Sequence, residues 1–243
     1  MKRKSRFPED LLFSPRTAAD VKPEAPRESG SLRPDPTAAR ANPNLLDVFL
    51  RILALKGLYR QGWLKRGVPE SVCESVADHS FGTAILALLV AGRPPFQDAD
   101  PVKTCRMALV HELGEVYAGD ITPVDGITKE TKYRMERDSL LRVLEGAPGA
   151  GELRALWEEF EEGVSPEARL LRRLDRLEMG IQAAVYRADG FPRMEEFLES
   201  ARKAVGDGYL KEVLERAVDS ERWPVDGSED SADGGNPRRG DSR

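Results

Sequence analysis

The stretch Asp100–Gly119, DPVKTCRMALVHELGEVYAG, decides the fold class. Asp100 is placed as a helix N-cap, and Pro101 occupies the first turn, where a missing N–H costs little. Cys105, Leu109, Leu113 and Val116 then recur at helical spacing, which predicts one helix with these four on its inner stripe. The same stretch carries His111, one of only two histidines among 243 residues. The other, His79, lies upstream in ADHSFGTAILALLVA, residues 77–91. Both histidines abut an acid, as Asp78-His79 and His111-Glu112, and both sit on apolar helical segments.

Outward from this stretch the pattern stays helical. NPNLLDVFLRILALKGL, residues 42–58, sets Leu45, Leu46, Phe49, Ile52 and Leu53 on one side, with Asn44 as cap and Gly57 as stop. The helix of His79 ends at Gly92-Arg93-Pro94-Pro95. KETKYRMERDSLLRVLEG, from Lys129, reads as a charged surface helix whose apolar side is Met135, Leu140, Leu141 and Leu144. AGELRALWEEFEEG, SPEARLLRRLDRLEMGIQAAVYRA, MEEFLESARKAV and GYLKEVLERAV follow as four more helices. No alternating run is long enough to predict a strand, so the expected fold class is all-α over residues 44–224. Residues 1–43 hold seven of the 17 prolines and nine Lys/Arg against six Asp/Glu; they read as a disordered N-terminal arm. Residues 225–243, rich in Gly, Ser and Asp, read as a disordered C-terminal tail.

Composition narrows the function classes. A net charge of -5 argues against stable nucleic-acid binding through a basic face, yet leaves room for a small anionic substrate. Two cysteines, Cys73 and Cys105, give neither a disulfide framework nor a CxxC zinc pattern. No membrane span and no secretory signal is legible, and the expected compartment is the cytoplasm.

A histidine on a helix is usually a satisfied core group. Here the only two lie in consecutive helices beside carboxylates, and a later helix embeds Asp175 among Leu170, Leu171, Leu174 and Leu177. An acid in such a stripe is costly to bury unless it is paired or bound to metal. Imidazole nitrogens with carboxylate oxygens suit a divalent ion of intermediate hardness.

These residues in this order resemble the H…HD…D signature of the HD-domain metal-dependent phosphohydrolases. YRQGWLKRGV, PESVCESVADHS, ALVHELGEVYAGDITP and RLDRLEMGIQA resemble segments of its 5′-deoxynucleotidase-like branch, and the likeness covers about residues 45–187. The resemblance implies an HD-domain helical bundle and one divalent metal ion (Mn, Co, Mg, Fe or Zn) held by His79, His111, Glu112 and Asp175. Glu112 stands where the family has Asp, one methylene longer. The resemblance further implies that Glu115 activates the attacking water and that Asp120 lies near the sugar and the scissile oxygen. It assigns Arg60 to the phosphate and Trp63 to the sugar, although the family sets Arg and Trp adjacent and two residues intervene here. Lys129 and Lys132 are candidates for extra positive charge, and Glu74, five residues before His79, for support of the ligands. The implied reaction is phosphate release from a (deoxy)nucleoside 5′-monophosphate, by an enzyme that forms a homodimer. Two alternatives stand beside it: hydrolysis of another phosphomonoester or a nucleoside triphosphate, and a non-catalytic metal-stabilised interaction protein.

Overall fold

The computed structural model describes residues 45–220, and within them the chain is helical throughout, with one isolated antiparallel bridge between Tyr59 and Ser75. The Asn44 cap and both terminal tails lie outside the described residues. Ten α-helices follow in order: α1 (Leu45–Leu53), α2 (Gln61–Leu64), α3 (Val76–Val90), α4 (Pro101–Val110), α5 (Glu115–Ala118), α6 (Lys129–Val143), α7 (Ala150–Glu162), α8 (Pro166–Ala188), α9 (Glu195–Val205) and α10 (Tyr209–Val218).

Local chemistry sets the helix starts. Ser75 and Asp78 form a reciprocal capping box at α3, so two otherwise orphaned amides are satisfied. Asp100 accepts from the Lys103 amide ahead of Pro101 at α4, and Ser165 accepts from the Ala168 amide ahead of Pro166 at α8. The longest helix, α8, is the spine: it packs against α3, α4, α7, α9 and α10. Leu170, Leu171, Leu174 and Leu177 bury completely or nearly so along it. At Gly180 the neighbours come closest. A Cβ there would stand 2.6 Å from Ala201 Cβ and 2.8 Å from Leu214 Cδ1, so the glycine lets α9 and α10 seat on α8.

Three expected helix faces are corrected. The segment 100–119 is not one helix: α4 stops at Val110, and residues 111–114 form tighter turns before α5, with Leu113 N donating to Val110 O and Glu115 N to Glu112 O. The tightening rotates the stripe, so Leu113 and Val116 bury, Cys105 is half-buried and Leu109 faces out. On α1, Leu45, Leu46 and Phe49 are exposed, and Val48 is the buried residue. That helix lies at the edge of the bundle and contacts α6, where Arg51 donates to the carbonyls of Arg142 and Glu145 at 3.1 Å each. On α6, Leu140 and Leu144 bury as expected, but Met135 and Leu141 face out while Glu136 and Ser139 face in. There α5 approaches so closely that a Cβ on Gly114 would stand 2.8 Å from Glu136 Cβ.

Two glycines separate packing from helix propensity. Gly180→Ala should cost about 1–3 kcal/mol, because Ala201 cannot move without its helix. Gly151→Ala on α7, with open space around it, should stabilise by about 0.5 kcal/mol. Urea denaturation midpoints of the two variants decide this; a Gly180→Ala midpoint at or above wild type would mean that the close approach does not constrain the bundle.

Candidate metal centre

Five stretches of the chain deliver the polar groups into the apolar bundle. The segment Leu58–Arg60 runs beside residues 74–76, with Arg60 N donating to Glu74 O and Val76 N to Leu58 O. This fixes the backbone of Arg60, the N-cap of α2, beside the start of α3, and its guanidinium reaches Glu112 and Asp120. His79 comes from the first turns of α3, His111 and Glu112 from the turn after α4, and Asp175 from mid-α8. Gly119, at a φ of 81°, ends α5 and turns the chain so that Asp120 enters the same space.

The groups converge closely. Ligand-capable atoms of His79, His111, Glu112 and Asp175 all lie within 4.8 Å of one another. His79 Nε2 stands 3.1 Å from Asp175 Oδ1 and 3.7 Å from Glu112 Oε1, and His111 Nε2 stands 3.5 Å from the same Glu112 oxygen. Each imidazole is anchored through its other nitrogen. His79 Nδ1 pairs with Glu178 Oε2 at 2.5 Å, and His111 Nδ1 with the Ala108 carbonyl at 2.7 Å. Both Nε2 atoms therefore face the centre, and that of His111 is buried without any hydrogen bond. A buried acceptor nitrogen left open beside two carboxylates is what a divalent cation would satisfy, so the donor set fits such an ion.

Charge in the site is strongly perturbed. Burial and Arg60 lower the proton affinity of His79, but the hydrogen bonds to Asp175 and Glu178 outweigh them and raise it to about 10. Burial acts against the ionised Asp175, yet His79 and Arg176 hold it well below the usual carboxylate range. Burial likewise opposes ionised Glu112, and His111, Arg60 and His79 overcome it, so its carboxyl is also lowered. Glu115 behaves oppositely. It is buried, its Oε2 makes no hydrogen bond, and burial with the charges of Glu112 and Asp120 pushes it well above the usual range. Arg60 stays charged: burial disfavours it, but Asp120 and Glu112 at 3.6 and 3.5 Å raise its proton affinity further.

Arg60, His111, Glu112, Glu115, Asp120 and Asp175 border a cleft of about 900 Å³, with Lys129, Lys132, Arg172 and Arg176 on its walls. Lys132 stands 3.3 Å from Glu136 and feels Glu112 and Glu115 as well, so of the two candidate lysines it is electrostatically tied to the centre. Asp120 both borders the cleft and accepts from the Gln61 amide at 2.6 Å, which secures the start of α2. Trp63, the residue assigned to the sugar, borders the cleft but presents little of itself to it. It is 1% exposed and packs between Tyr186 and Phe197, and its indole N–H donates to Glu74 at 2.6 Å. Its effect on a ligand runs through the wall it supports. Glu74 is accordingly behind His79, in a cluster with Glu178. Sequence reading passed over Glu178, although its place three residues after Asp175 on one helix face was the available signal.

The chain matches the family model described as HD domain over residues 52–214. It is 37% identical over 178 residues to the 5′-deoxynucleotidase HDDC2 of Danio rerio, spanning 70% of this chain and 83% of that protein. It is 34% identical over 171 residues to the 5′-deoxynucleotidase HDDC2 of Dictyostelium discoideum, spanning 65% and 88%. A crystal structure of a Pyrococcus horikoshii OT3 protein aligns with a TM-score of 0.60 at 32% identity, covering 71% of this chain and 98% of the other.

If the four groups hold a cation, adding Mn²⁺ or Co²⁺ at about 100 times its Kd should stabilise the fold by about 2.7 kcal/mol. His111→Ala should remove most of that gain. Thermal melts with metal and with chelator, beside elemental analysis, check both; equal metal-dependent gains in wild type and His111→Ala would remove His111 from the site.

Proposed function

The chain belongs to the HD domain family, and on that premise we propose that it is a metal-dependent phosphohydrolase acting on 5′-deoxynucleoside monophosphates. Water and the phosphomonoester give nucleoside and phosphate. The observation that carries this reading is the juxtaposition of an open imidazole nitrogen, two ionised carboxylates and a buried high-affinity carboxylate in one cleft. His79, His111, Glu112 and Asp175 would hold the ion. When bound, a divalent cation supplies Lewis-acid polarisation of the phosphate and of the attacking water.

The remaining residues divide the other tasks. Glu115 is the general base: it is buried at the edge of the cleft beside Glu112 with one oxygen unpartnered among the described residues, and a cation bound next to it would favour the ionised form that takes a proton from water. Arg60 faces the cleft with a guanidinium able to grip two phosphate oxygens at once. Asp120 keeps that guanidinium in place and borders the position where a leaving oxygen would depart. Lys132 adds charge on the wall opposite α2, which lowers the cost of bringing a dianion among carboxylates. Preference for deoxyribose rests on the relatives' activity, because the buried Trp63 offers the cleft little surface.

Phosphate release from a panel of ribo- and deoxyribonucleoside monophosphates, with Mn²⁺, Co²⁺, Mg²⁺ or chelator, tests the reading directly. Turnover should require metal and favour the deoxy series; no release from any monophosphate would end it. Glu115→Gln should bind metal as wild type does and lose roughly 10²–10⁴-fold in kcat, the usual scale of a general base. Near-wild-type turnover would show that another group takes the proton. Arg60→Lys keeps the charge but not the fork, and its kcat/KM should fall about 10–100-fold.

A further inference from the structure

The two imidazoles at the centre are anchored unequally. His111 Nδ1 donates to a backbone carbonyl, a partner that no side-chain change can remove. His79 Nδ1 donates to a carboxylate, Glu178 Oε2, supplied by another helix. Glu178 lies one turn beyond Asp175 on α8, so a single helix face carries one group for the centre and another for the far side of His79. His79 itself is completely buried, and among the described residues its ring hydrogen-bonds Asp175 and Glu178 alone.

Opposite Glu178 stands Gly82, one turn after His79 on α3. Its backbone is ordinary α-helix, so nothing in its conformation calls for glycine, and a glycine inside a helix costs about 0.5–1 kcal/mol against alanine. The reason lies in space. A Cβ at this position would stand 2.9 Å from Glu178 Oε1, 3.1 Å from its Cγ and 3.3 Å from its Cδ. The carboxylate occupies the volume that any larger residue would fill. Behind it, Glu74 is fixed by the Trp63 indole N–H, and the Tyr186 hydroxyl accepts from the Glu74 amide at 2.8 Å. Glu74, His79 and Glu178 could in principle form a second ion site, but Glu178 already engages the only face of His79 turned toward them.

We infer that Glu178, admitted by the missing side chain of Gly82, is a positioning residue for the metal: it holds the His79 ring with its Nδ1 proton outward and its Nε2 toward the centre. A carboxylate behind a ligating imidazole fixes the tautomer and ring orientation and makes the ligand nitrogen more basic, which is worth about 10–100-fold in metal affinity. Gly82 is then a helix-stability sacrifice that serves ligand geometry. The inference rests on the metal reading above.

Calorimetric titration of the metal-free full chain with Co²⁺ and Mn²⁺, alongside thermal melts without metal, tests it. Wild type should bind one ion. Glu178→Ala should bind it about 10–100-fold more weakly, while Glu178→Gln, which keeps an acceptor for Nδ1–H, should lose about tenfold or less. Gly82→Ala is the sharper variant. The helix gains, but the carboxylate must leave His79, so the variant's metal-free melting temperature should fall no further than that of Glu178→Ala, and its affinity should fall as in Glu178→Ala. The double variant Gly82→Ala/Glu178→Ala should bind no worse than Glu178→Ala alone, since one function is lost once. Wild-type affinity in folded Glu178→Ala or Gly82→Ala, or losses that multiply in the double variant, would overturn the inference and leave the metal reading intact. Two ions per wild-type chain would overturn it in favour of a second site. No binding to wild type would remove both readings together.

Discussion

Six carboxylates, from Glu74, Glu112, Glu115, Asp120, Asp175 and Glu178, crowd around two histidines and the guanidinium groups of Arg60 and Arg176. That imbalance of buried charge is the constraint on which the structure turns. Desolvating ions costs several kcal/mol each unless partners repay it, and the partners here are too few to satisfy every acid at once. The molecule answers in two ways. Asp175 is held ionised by the imidazoles and Arg176, and Glu112 by the imidazoles and Arg60, while Glu74 and Glu115 are driven toward the neutral form, Glu74 to about 7 by burial and by Glu178. A divalent cation would relieve the remainder, which makes the site a place where binding energy and folding energy are shared.

The scaffold reads as a device for bringing these acids together without opening the core. The long α8 brings Asp175 and Glu178 in on one face, with four buried leucines along the same helix. The tightened turn at 111–114 lets His111, Leu113 and Glu115 all face inward over five residues, which a regular α-helix would splay around its axis. Arg60 reaches the cluster from an extended segment whose backbone is pinned to residues 74–76, so the cation arrives on a rigid arm.

Much of this was legible in the chain, for identifiable reasons. Helix starts carry local signals such as Asp100-Pro101, and local signals survive folding unchanged. The residues that converge at the candidate centre were legible because histidine is so scarce that two of them beside acids draw the eye to one place. What failed was the side of each helix that faces inward. Periodicity finds an apolar stripe but not its partner, so Leu45, Leu46 and Phe49 on α1 looked like core although the bundle buries Val48. On α6 the inward positions include Glu136 and Ser139, which polarity alone would assign to solvent. Glu178 was missed because its role depends on a partner 99 residues away in sequence, and the burial of Trp63 depends on Tyr186 and Phe197, far along the chain.

Glu112 shows how one methylene can be absorbed. Its Oε1 lies 3.5 Å from His111 Nε2, 3.5 Å from Arg60 Nη1 and 3.7 Å from His79 Nε2, and it hydrogen-bonds none of them. Asp175, by contrast, bonds His79 directly at 3.1 Å. A carboxylate oxygen poised almost equally between three nitrogen groups is placed by the summed field rather than by one contact. Such a group can follow an ion through small displacements, because moving toward one cation loses attraction to another of similar size. The shorter Asp175 is locked to its neighbour and defines one fixed edge of the centre, with His111 set on its carbonyl as a second. The longer Glu112 is then an adjustable member of the four converging groups, and its side chain, one methylene longer than aspartate, supplies the reach that its position between Arg60 and the two imidazoles requires.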